Sequence, residues 1–224
     1  MMSFTPLAAS LFSLLTIVSL ILVFVMLGSR WLNNYLIAFT AQCWVVAALS
    51  AAVGYYGDYP ELYLVALFTV LFRGLLLPYL VFRIIRRMGV DRELHEIIRP
   101  SSALVAGAFL VILALVVARR IGLSIGNPDD VIVLALTVTV SIKLIGFLML
   151  AVRHEAISQI LGLLVLENGI FLGSQLLVPG MPLLLELVIL FDLLVAVACF
   201  GVLVNYLITH AGSTSSLQLR GLRG

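Results

Sequence analysis

The sequence predicts an all-α, polytopic membrane protein with about seven transmembrane helices. Hydrophobic residues make up 63% of the 224 residues and charged residues 11%, and the mean hydropathy is +1.23. Soluble domains are about a quarter charged, so this chain has too few polar residues to cover a soluble fold. We therefore interpret residues 1–224 as a single transmembrane domain.

Seven apolar segments are long enough to cross a hydrocarbon core of ~30 Å as helices. They lie at residues 6–27, 34–55, 61–83, 102–118, 130–152, 157–178 and 182–208. The first is predicted to be a retained helix, because no basic region precedes it and no small-residue cleavage site follows it. Short loops join the spans. In the longest polar connection, residues 91–99 are predicted to form a short interfacial helix that Pro100 would end.

The distribution of arginines predicts the orientation, because Lys and Arg beside short loops stay preferentially in the cytoplasm. The arginines on one side are Arg30, Arg83, Arg86, Arg87, Arg92, Arg99, Arg153, Arg220 and Arg223. The opposite side has only Arg119 and Arg120, together with several acidic residues. We therefore expect the N-terminus outside and the C-terminus in the cytoplasm. The net charge of +2 reflects this bias, so the lipid bilayer is an expected partner and nucleic acid is not.

Motifs for catalysis or cofactor binding are missing from the sequence. Cys43 and Cys199 both fall inside apolar segments, where a thiol usually packs as a small hydrophobic group. The three histidines are far apart, and the sequence has no CxxC pair, catalytic triad, phosphate-binding glycine loop or nucleotide fingerprint. We predict no metal or cofactor site and no catalytic residue in this chain.

Five ionisable residues remain inside the predicted spans after the loop charges are set aside. They are Arg73, Lys143, Glu167, Glu186 and Asp192. Each would cost about 2.5–3.5 kcal/mol at a helix centre, so each is a candidate for a functional role. Glu186 lies near the outer start of its span, where it can instead be a solvated helix-start carboxylate. Lys143 can snorkel part of the way to the cytoplasmic surface.

Arg73 lies too deep in "LFTVLFRGLLLPYL" to snorkel comfortably. Gly74 and Pro78 mark a point at which the helix is expected to loosen or bend. Because arginine does not readily lose its proton, we predict that Arg73 is a fixed counter-charge. Its expected partner is a carboxylate on another helix.

Glu167 lies at the centre of "ISQILGLLVLENGIFLGSQLLV", and Asp192 lies at a similar depth in the following antiparallel span. A carboxyl group in a low-dielectric site can be protonated at neutral pH and can ionise when a cation approaches. A proton relay needs this property, so both acids are relay candidates. The alternative for both is a static ion pair that only holds helices together.

The glycines around Glu167 predict how this carboxylate is housed. Gly162, Gly169 and Gly173 fall on one stripe of the helix, and Glu167 points roughly 120–160° away from it at ~100° per residue. Close packing of the glycine stripe against a neighbouring helix would leave the opposite face for the carboxylate. That face is expected to meet another helix or a hydrated cavity, not lipid.

The run "ISQILGLLVLENGIFL", the later run "LLLELVILFDLLVAVACFGVLVNYL" and the tail "SLQLRGLRG" resemble the hydrogenase-4 component E family. These proteins are membrane subunits of group 4 nickel–iron hydrogenases and formate hydrogenlyase. The resemblance covers the whole chain in length and hydropathy, and "FRGLLLP" also looks like the family's pattern. Residues 126–224 are similar to the three-helix K subunit of respiratory complex I, which leaves residues 1–125 as an N-terminal four-helix part.

This resemblance implies two relay positions. The K subunit carries one essential carboxylate in its second helix and one in its third, both implicated in proton translocation. Glu167 matches the first, and Asp192 matches the second with Asp in place of Glu. Lys143 and Glu186 match no position of the motif and are relay candidates by their location in the spans.

The resemblance also implies a cellular setting. The chain would be a non-catalytic subunit in a prokaryotic cytoplasmic (inner) membrane, contributing to proton or sodium translocation. Its partners would be antiporter-like and quinone-site-like membrane subunits, with nickel–iron and iron–sulfur centres in soluble redox subunits. The alternatives are a purely structural bridging subunit, a subunit of an antiporter-like complex without redox chemistry, and a standalone transporter or receptor.

Overall fold

The structure, a computed structural model, describes residues 6–88, 99–125, 130–153 and 156–177, and this part is almost entirely helical. Its elements are α1 (Pro6–Leu27), α2 (Leu32–Gly57), α3 (Glu61–Phe68), the π-helix π1 (Thr69–Leu76), α4 (Leu77–Met88), α5 (Pro100–Ile125), α6 (Asp130–Val152) and α7 (Ala156–Leu177). The all-α prediction is confirmed for these residues.

Five of the described helical segments are long and apolar enough to cross a membrane. They are Pro6–Leu27, Leu32–Gly57, Glu61–Arg83, Pro100–Ser124 and Asp130–Val152. They correspond to the first five predicted spans, and α7 corresponds to the sixth. The predicted interfacial helix at residues 91–99 falls almost wholly outside the described residues, and the predicted span 182–208 falls outside them entirely. Glu186 and Asp192 therefore lie outside the described part of the chain.

The fourth span is longer than predicted. It was expected to end at residue 118, before Arg119 and Arg120, but α5 continues through both arginines to Ile125. Both arginines are exposed, and arginine is a good helix former. A charged side chain at the end of a membrane helix can extend toward water. Arg119 and Arg120 can therefore be hydrated while their backbone stays helical.

The described helices pack around a buried core. Among the described helices, α6 and α7 share the most extensive contact, α1 packs against α2 and α6, and α5 packs mainly against α6. α2 also contacts α3, π1 and α7, which places it between the N-terminal helices and the helix that carries Glu167. The largest buried apolar side chains include Phe12, Tyr35, Phe39 and Phe171.

The glycine stripe of α7 packs directly against α6, as the sequence predicts. A methyl group added at Gly169 would lie 2.8 Å from Cγ2 of Ile142, and one at Gly173 would lie 2.5 Å from Cγ2 of Thr139. Real Cβ atoms do not approach other carbon atoms this closely, so the helix separation depends on these glycines. This packing leaves another face of α7 for Glu167.

The third span changes its helical geometry around Arg73. Residues Thr69–Leu76 form a π-helix, and the N–H of Leu77 bonds to the carbonyl of Phe72, five residues earlier. In a regular α-helix, Pro78 would lack a hydrogen bond and its ring would clash with the carbonyl four residues before it. The wider π turn just before Pro78 confirms the expected loosening. Single π turns within α-helices occur frequently at functional sites.

Candidate functional site

Arg73 and Glu167 lie side by side in the interior of the bundle. Nη2 of Arg73 is 3.6 Å from Oε2 of Glu167, and the two side chains are 2% and 13% exposed. Arg73 comes from π1 and Glu167 from the middle of α7. The structure therefore places Arg73 beside a carboxylate on another helix, as the sequence predicts. The roles of both residues remain predictions.

The shortest polar contact of Arg73 is with a neutral amide. Nη1 of Arg73 donates a hydrogen bond of 2.7 Å to Oδ1 of Asn168, which is 1% exposed. The 3.6 Å separation from Glu167 is longer than a charge-assisted hydrogen bond, which measures about 2.7–2.9 Å. The guanidinium is thus hydrogen-bonded to Asn168 and only ion-paired with Glu167.

A chain of buried polar side chains continues from Asn168 to α1. Nδ2 of Asn168 donates to Oε1 of Gln42 at 3.3 Å and to Sγ of Cys43 at 3.5 Å. Nε2 of Gln42 donates to Oγ of Ser19 at 3.3 Å. Gln42 and Ser19 are both fully buried. The side chains of Arg73, Asn168, Gln42 and Ser19 therefore connect π1, α7, α2 and α1.

Asn168, Gln42 and Ser19 were not predicted from the sequence to belong to a site. Uncharged polar residues are common in membrane helices, and hydropathy does not tell which of them face one another. The available signal was the position of Asn168 next to Glu167 in "LENG", the stretch most specific to the resemblance. The packing of α2 against α7 brings Asn168 to Gln42.

Phe171 closes one side of the guanidinium. Cζ of Arg73 lies 5.6 Å from the centroid of the Phe171 ring, within the range of cation–π attraction. Phe171 follows Glu167 by about one helical turn and is fully buried. The ring therefore packs beside the charge in the interior of the bundle and attracts the cation.

A second polar contact joins α2 and α7 farther along the two helices. Nε2 of Gln175 donates to Oγ of Ser50, and both side chains are fully buried. Oε1 of Gln175 has no hydrogen-bond partner among the described residues. Gln175 lies about two turns beyond Glu167, roughly 12 Å along the axis. Because Gln42 pairs with Asn168 and Ser50 with Gln175, α2 and α7 run in the same direction.

The other predicted site residues are not brought to this pair in the described part of the chain. Lys143 is half-buried on α6, and its backbone nitrogen packs 3.3 Å from the Cβ position of Gly169. The described residues show no ion pair between Lys143 and a carboxylate. Glu186 and Asp192 lie outside the described residues, so their placement as relay candidates stays a prediction. No cluster of three or more His, Cys, Asp or Glu residues appears among the described residues.

Arg153 follows the end of α6, as predicted, and its side chain is buried. Its side chain is 3% exposed, Nη2 donates to the carbonyl oxygen of Met26 at 3.0 Å, and Cζ lies 4.7 Å from the centroid of the Tyr35 ring. The last carbonyls of a helix lack intrahelical donors and favour a nearby cation. Arg153 therefore binds the C-terminal end of α1 and joins it to α2 and α6.

The chain is similar to a mycobacterial protein. It is 31% identical over 152 residues to "Uncharacterized protein Rv0085" of Mycobacterium tuberculosis (strain ATCC 25618 / H37Rv), an alignment that covers 67% of this chain and 68% of the relative. The chain belongs to the Rv0085 family. No family model matches the chain, and no solved structure matches it.

The Arg73 and Glu167 pair gives this member of the Rv0085 family a charge that can change beside a charge that does not. Arginine stays protonated at all physiological pH values, whereas a carboxyl group has a neutral and an ionised form. A neutral Glu167 would leave the hydrogen bond between Arg73 and Asn168 in place. The contact that fixes the arginine is therefore independent of the charge on Glu167.

Proposed function

We propose that the chain is a non-catalytic membrane subunit of a hydrogenase-like or complex I-related assembly. In this proposal, Glu167 is part of a path for protons, or for sodium ions, that is coupled to redox chemistry in partner subunits. The observation that carries the proposal is the buried Arg73 and Glu167 pair, with 3.6 Å between Nη2 and Oε2.

The geometry of the pair supports a switchable site. The 3.6 Å between Arg73 and Glu167 exceeds the length of a charge-assisted hydrogen bond, about 2.7–2.9 Å. Here the direct hydrogen bond of Arg73 goes to Asn168, so protonation of Glu167 leaves that bond intact. Each charge costs about 2.5–3.5 kcal/mol inside the membrane, and a switching role gives a reason for retaining both. The π-helix around Arg73 adds support, since such turns are frequent at functional sites.

The finer architecture belongs to the same proposal. The chain would have seven transmembrane helices, with the N-terminus outside and the C-terminus in the cytoplasm of a prokaryotic cell, in the cytoplasmic (inner) membrane. Residues 126–224 would correspond to the complex I K subunit, with Asp192 as the second relay carboxylate. Lys143 and Glu186 would be further relay candidates.

The proposed partners follow from the resemblance to hydrogenase-4 component E. Antiporter-like and quinone-site-like membrane subunits would extend the ion path beyond this chain. Soluble subunits would hold the nickel–iron and iron–sulfur centres and would carry out the redox reaction. The chain itself would hold no cofactor.

A purely structural bridging subunit is the second candidate, and the polar chain from Arg73 to Ser19 favours it. These contacts join four helical elements, as a scaffold would require. The two candidates differ in what they predict for Glu167→Gln. A scaffold predicts faulty assembly or no effect, whereas a relay predicts an assembled complex with impaired ion movement.

The test uses the complex in its own cell membranes, assembled with its own partners. Inside-out membrane vesicles are supplied with the redox substrates of the complex, and acidification of their interior is measured together with complex abundance. We expect Glu167→Gln to keep its abundance and lose most of the acidification, and Glu167→Asp to keep part of it. Glu61→Gln is the matched control, because Glu61 is an exposed carboxylate at the start of α3. Normal acidification in Glu167→Gln would refute the relay, and an unassembled Glu167→Gln complex would favour the scaffold.

A further inference from the structure

A neutral amide holds the guanidinium of Arg73 more closely than the carboxylate does. The distance from Nη1 to Oδ1 of Asn168 is 2.7 Å, whereas the distance from Nη2 to Oε2 of Glu167 is 3.6 Å. Glu167 and Asn168 are consecutive on α7, and their side chains point ~100° apart. The closer of the two acceptors therefore belongs to the residue whose charge does not change with pH.

The chemistry of arginine dictates the orientation of the whole amide chain. A guanidinium has only donors, so Asn168 has to turn Oδ1 toward Arg73 and Nδ2 away from it. Nδ2 then needs acceptors, which Oε1 of Gln42 and Sγ of Cys43 provide. Gln42 in turn points Nε2 at the Oγ atom of Ser19. Each side chain in this series fixes the orientation of the next.

We propose that Asn168 is a positioning residue that keeps Arg73 at ion-pair distance from Glu167 without a direct hydrogen bond between them. Gln42 and Ser19 support it by holding the Asn168 amide in the orientation that Arg73 requires. The proposal rests on the proposed switching role of Glu167, and it adds Asn168 as the residue that regulates this role. With Asn168 in place, the arginine keeps its position when Glu167 is neutral and does not bind the carboxylate too tightly when Glu167 is ionised.

The described neighbours of α7 present few other titratable groups at this depth. They are Arg73 on π1, Lys143 on α6 and Cys43 on α2. Arg73 is the cation in the proposal, and every variant that is titrated still contains it. Lys143 and Cys43 are unchanged in all of the variants, so their influence is the same in each comparison.

The first test measures which neighbour is energetically coupled to Arg73. A double-mutant cycle combines Arg73→Leu with Asn168→Leu, and a second cycle combines Arg73→Leu with Glu167→Gln. The readout is the thermal unfolding midpoint of the purified full chain in lipid nanodiscs. We expect the Asn168 cycle to depart from additivity by about 2–4 °C and by more than the Glu167 cycle. Gln175→Leu is the control for Asn168→Leu, since it removes another buried amide of α7 that contacts Ser50, and its effect should add to that of Arg73→Leu.

The second test is a readout that a merely structural role would not change. The infrared carbonyl band of protonated Glu167, assigned by its loss in Glu167→Gln, is titrated in the full chain. In Asn168→Leu, the released guanidinium should turn to the carboxylate and lower the proton affinity of Glu167 by about tenfold, which moves the midpoint by about one pH unit. Gln175→Leu should leave the midpoint unchanged, and Asn168→Gln should restore part of the native value.

The outcomes separate this proposal from the relay itself. Additive effects of Arg73→Leu and Asn168→Leu would overturn the positioning role, as would an unshifted infrared midpoint in Asn168→Leu. Neither measurement needs a partner subunit or ion movement. Normal acidification by the Glu167→Gln complex would instead refute the relay, and the cycle would still show whether Asn168 holds Arg73.

Discussion

Replacing Arg73 by leucine tests how far a buried charge stabilises the bundle. The substitution removes the 2.7 Å hydrogen bond to Asn168 and the positive charge beside Glu167. Removing one partner of a buried ion pair costs about 3–5 kcal/mol, and whole domains are stable by only about 5–15 kcal/mol. Arg73→Leu should therefore lose a large share of the free energy of unfolding.

This loss can be read from the thermal unfolding midpoint of the purified chain and from its abundance in membranes. For a chain of this length, about 3–5 kcal/mol corresponds to a fall of about 10 °C, and abundance should fall with it. Arg83→Leu is the matched control, because Arg83 is exposed on α4 and, among the described residues, donates to the exposed Tyr79 hydroxyl. Its effect should stay within about 0.5 kcal/mol.

Two further variants of the site separate charge from shape. Arg73→Lys keeps the charge without the forked guanidinium, so it should assemble and retain part of the ion coupling. Adding Glu167→Gln to Arg73→Leu removes the buried acid and should recover part of the lost stability. An Arg73→Leu chain with native abundance, native midpoint and full activity would refute the fixed-charge role.

Four other substitutions test packing contacts among the described helices. Gly173→Val should lower the unfolding midpoint because its side chain would meet Thr139, whose Cγ2 already lies 2.5 Å from the Cβ position; Thr139→Ala in the same chain should restore part of the loss. Arg153→Met should cost about 1.5–3 kcal/mol in chemical unfolding, because the charged hydrogen bond to the Met26 carbonyl is lost and only the Ser29 N–H still donates to that oxygen among the described residues. An unchanged midpoint would contradict the assigned contact. Gly74→Leu should disturb π1 and alter the fluorescence of Trp44 relative to the native chain, because Nε1 of Trp44 lies 3.2 Å from the Cβ position of Gly74. Native fluorescence would contradict this close approach.

The sequence predicted the helices well because hydropathy acts locally. A run of apolar residues has to satisfy its backbone hydrogen bonds within the run when no water is present. The positions of the apolar runs in the sequence therefore predict the described helices. The glycine stripe of α7 and the loosening near Pro78 were also predictable, since each depends on residues within one helix. The end of α5 was not, because an arginine can stay helical at the membrane surface and a rule that stops at the first charge ends the helix too early.

The burial of Arg153 could not be predicted from charge patterning. The positive-inside rule reports on which side of the membrane an arginine lies and does not tell whether the side chain faces water. The structure turns Arg153 inward because the carbonyl of Met26 and the ring of Tyr35 lie within reach. Those partners come from the ends of two other helices, far away in sequence.

The sequence by itself determined that Glu167 lies deep in an apolar helix, where a nearby cation would favour its ionised form. Depth follows from position along one helix at ~1.5 Å per residue, which needs no knowledge of neighbours. Only the tertiary structure decided that the cation is Arg73 and that Asn168 takes its shortest hydrogen bond. Pairing depends on the rotation and relative height of π1, α2 and α7, and many arrangements of these helices bury the same apolar area. Directional contacts between a few polar side chains distinguish one of those arrangements from the others.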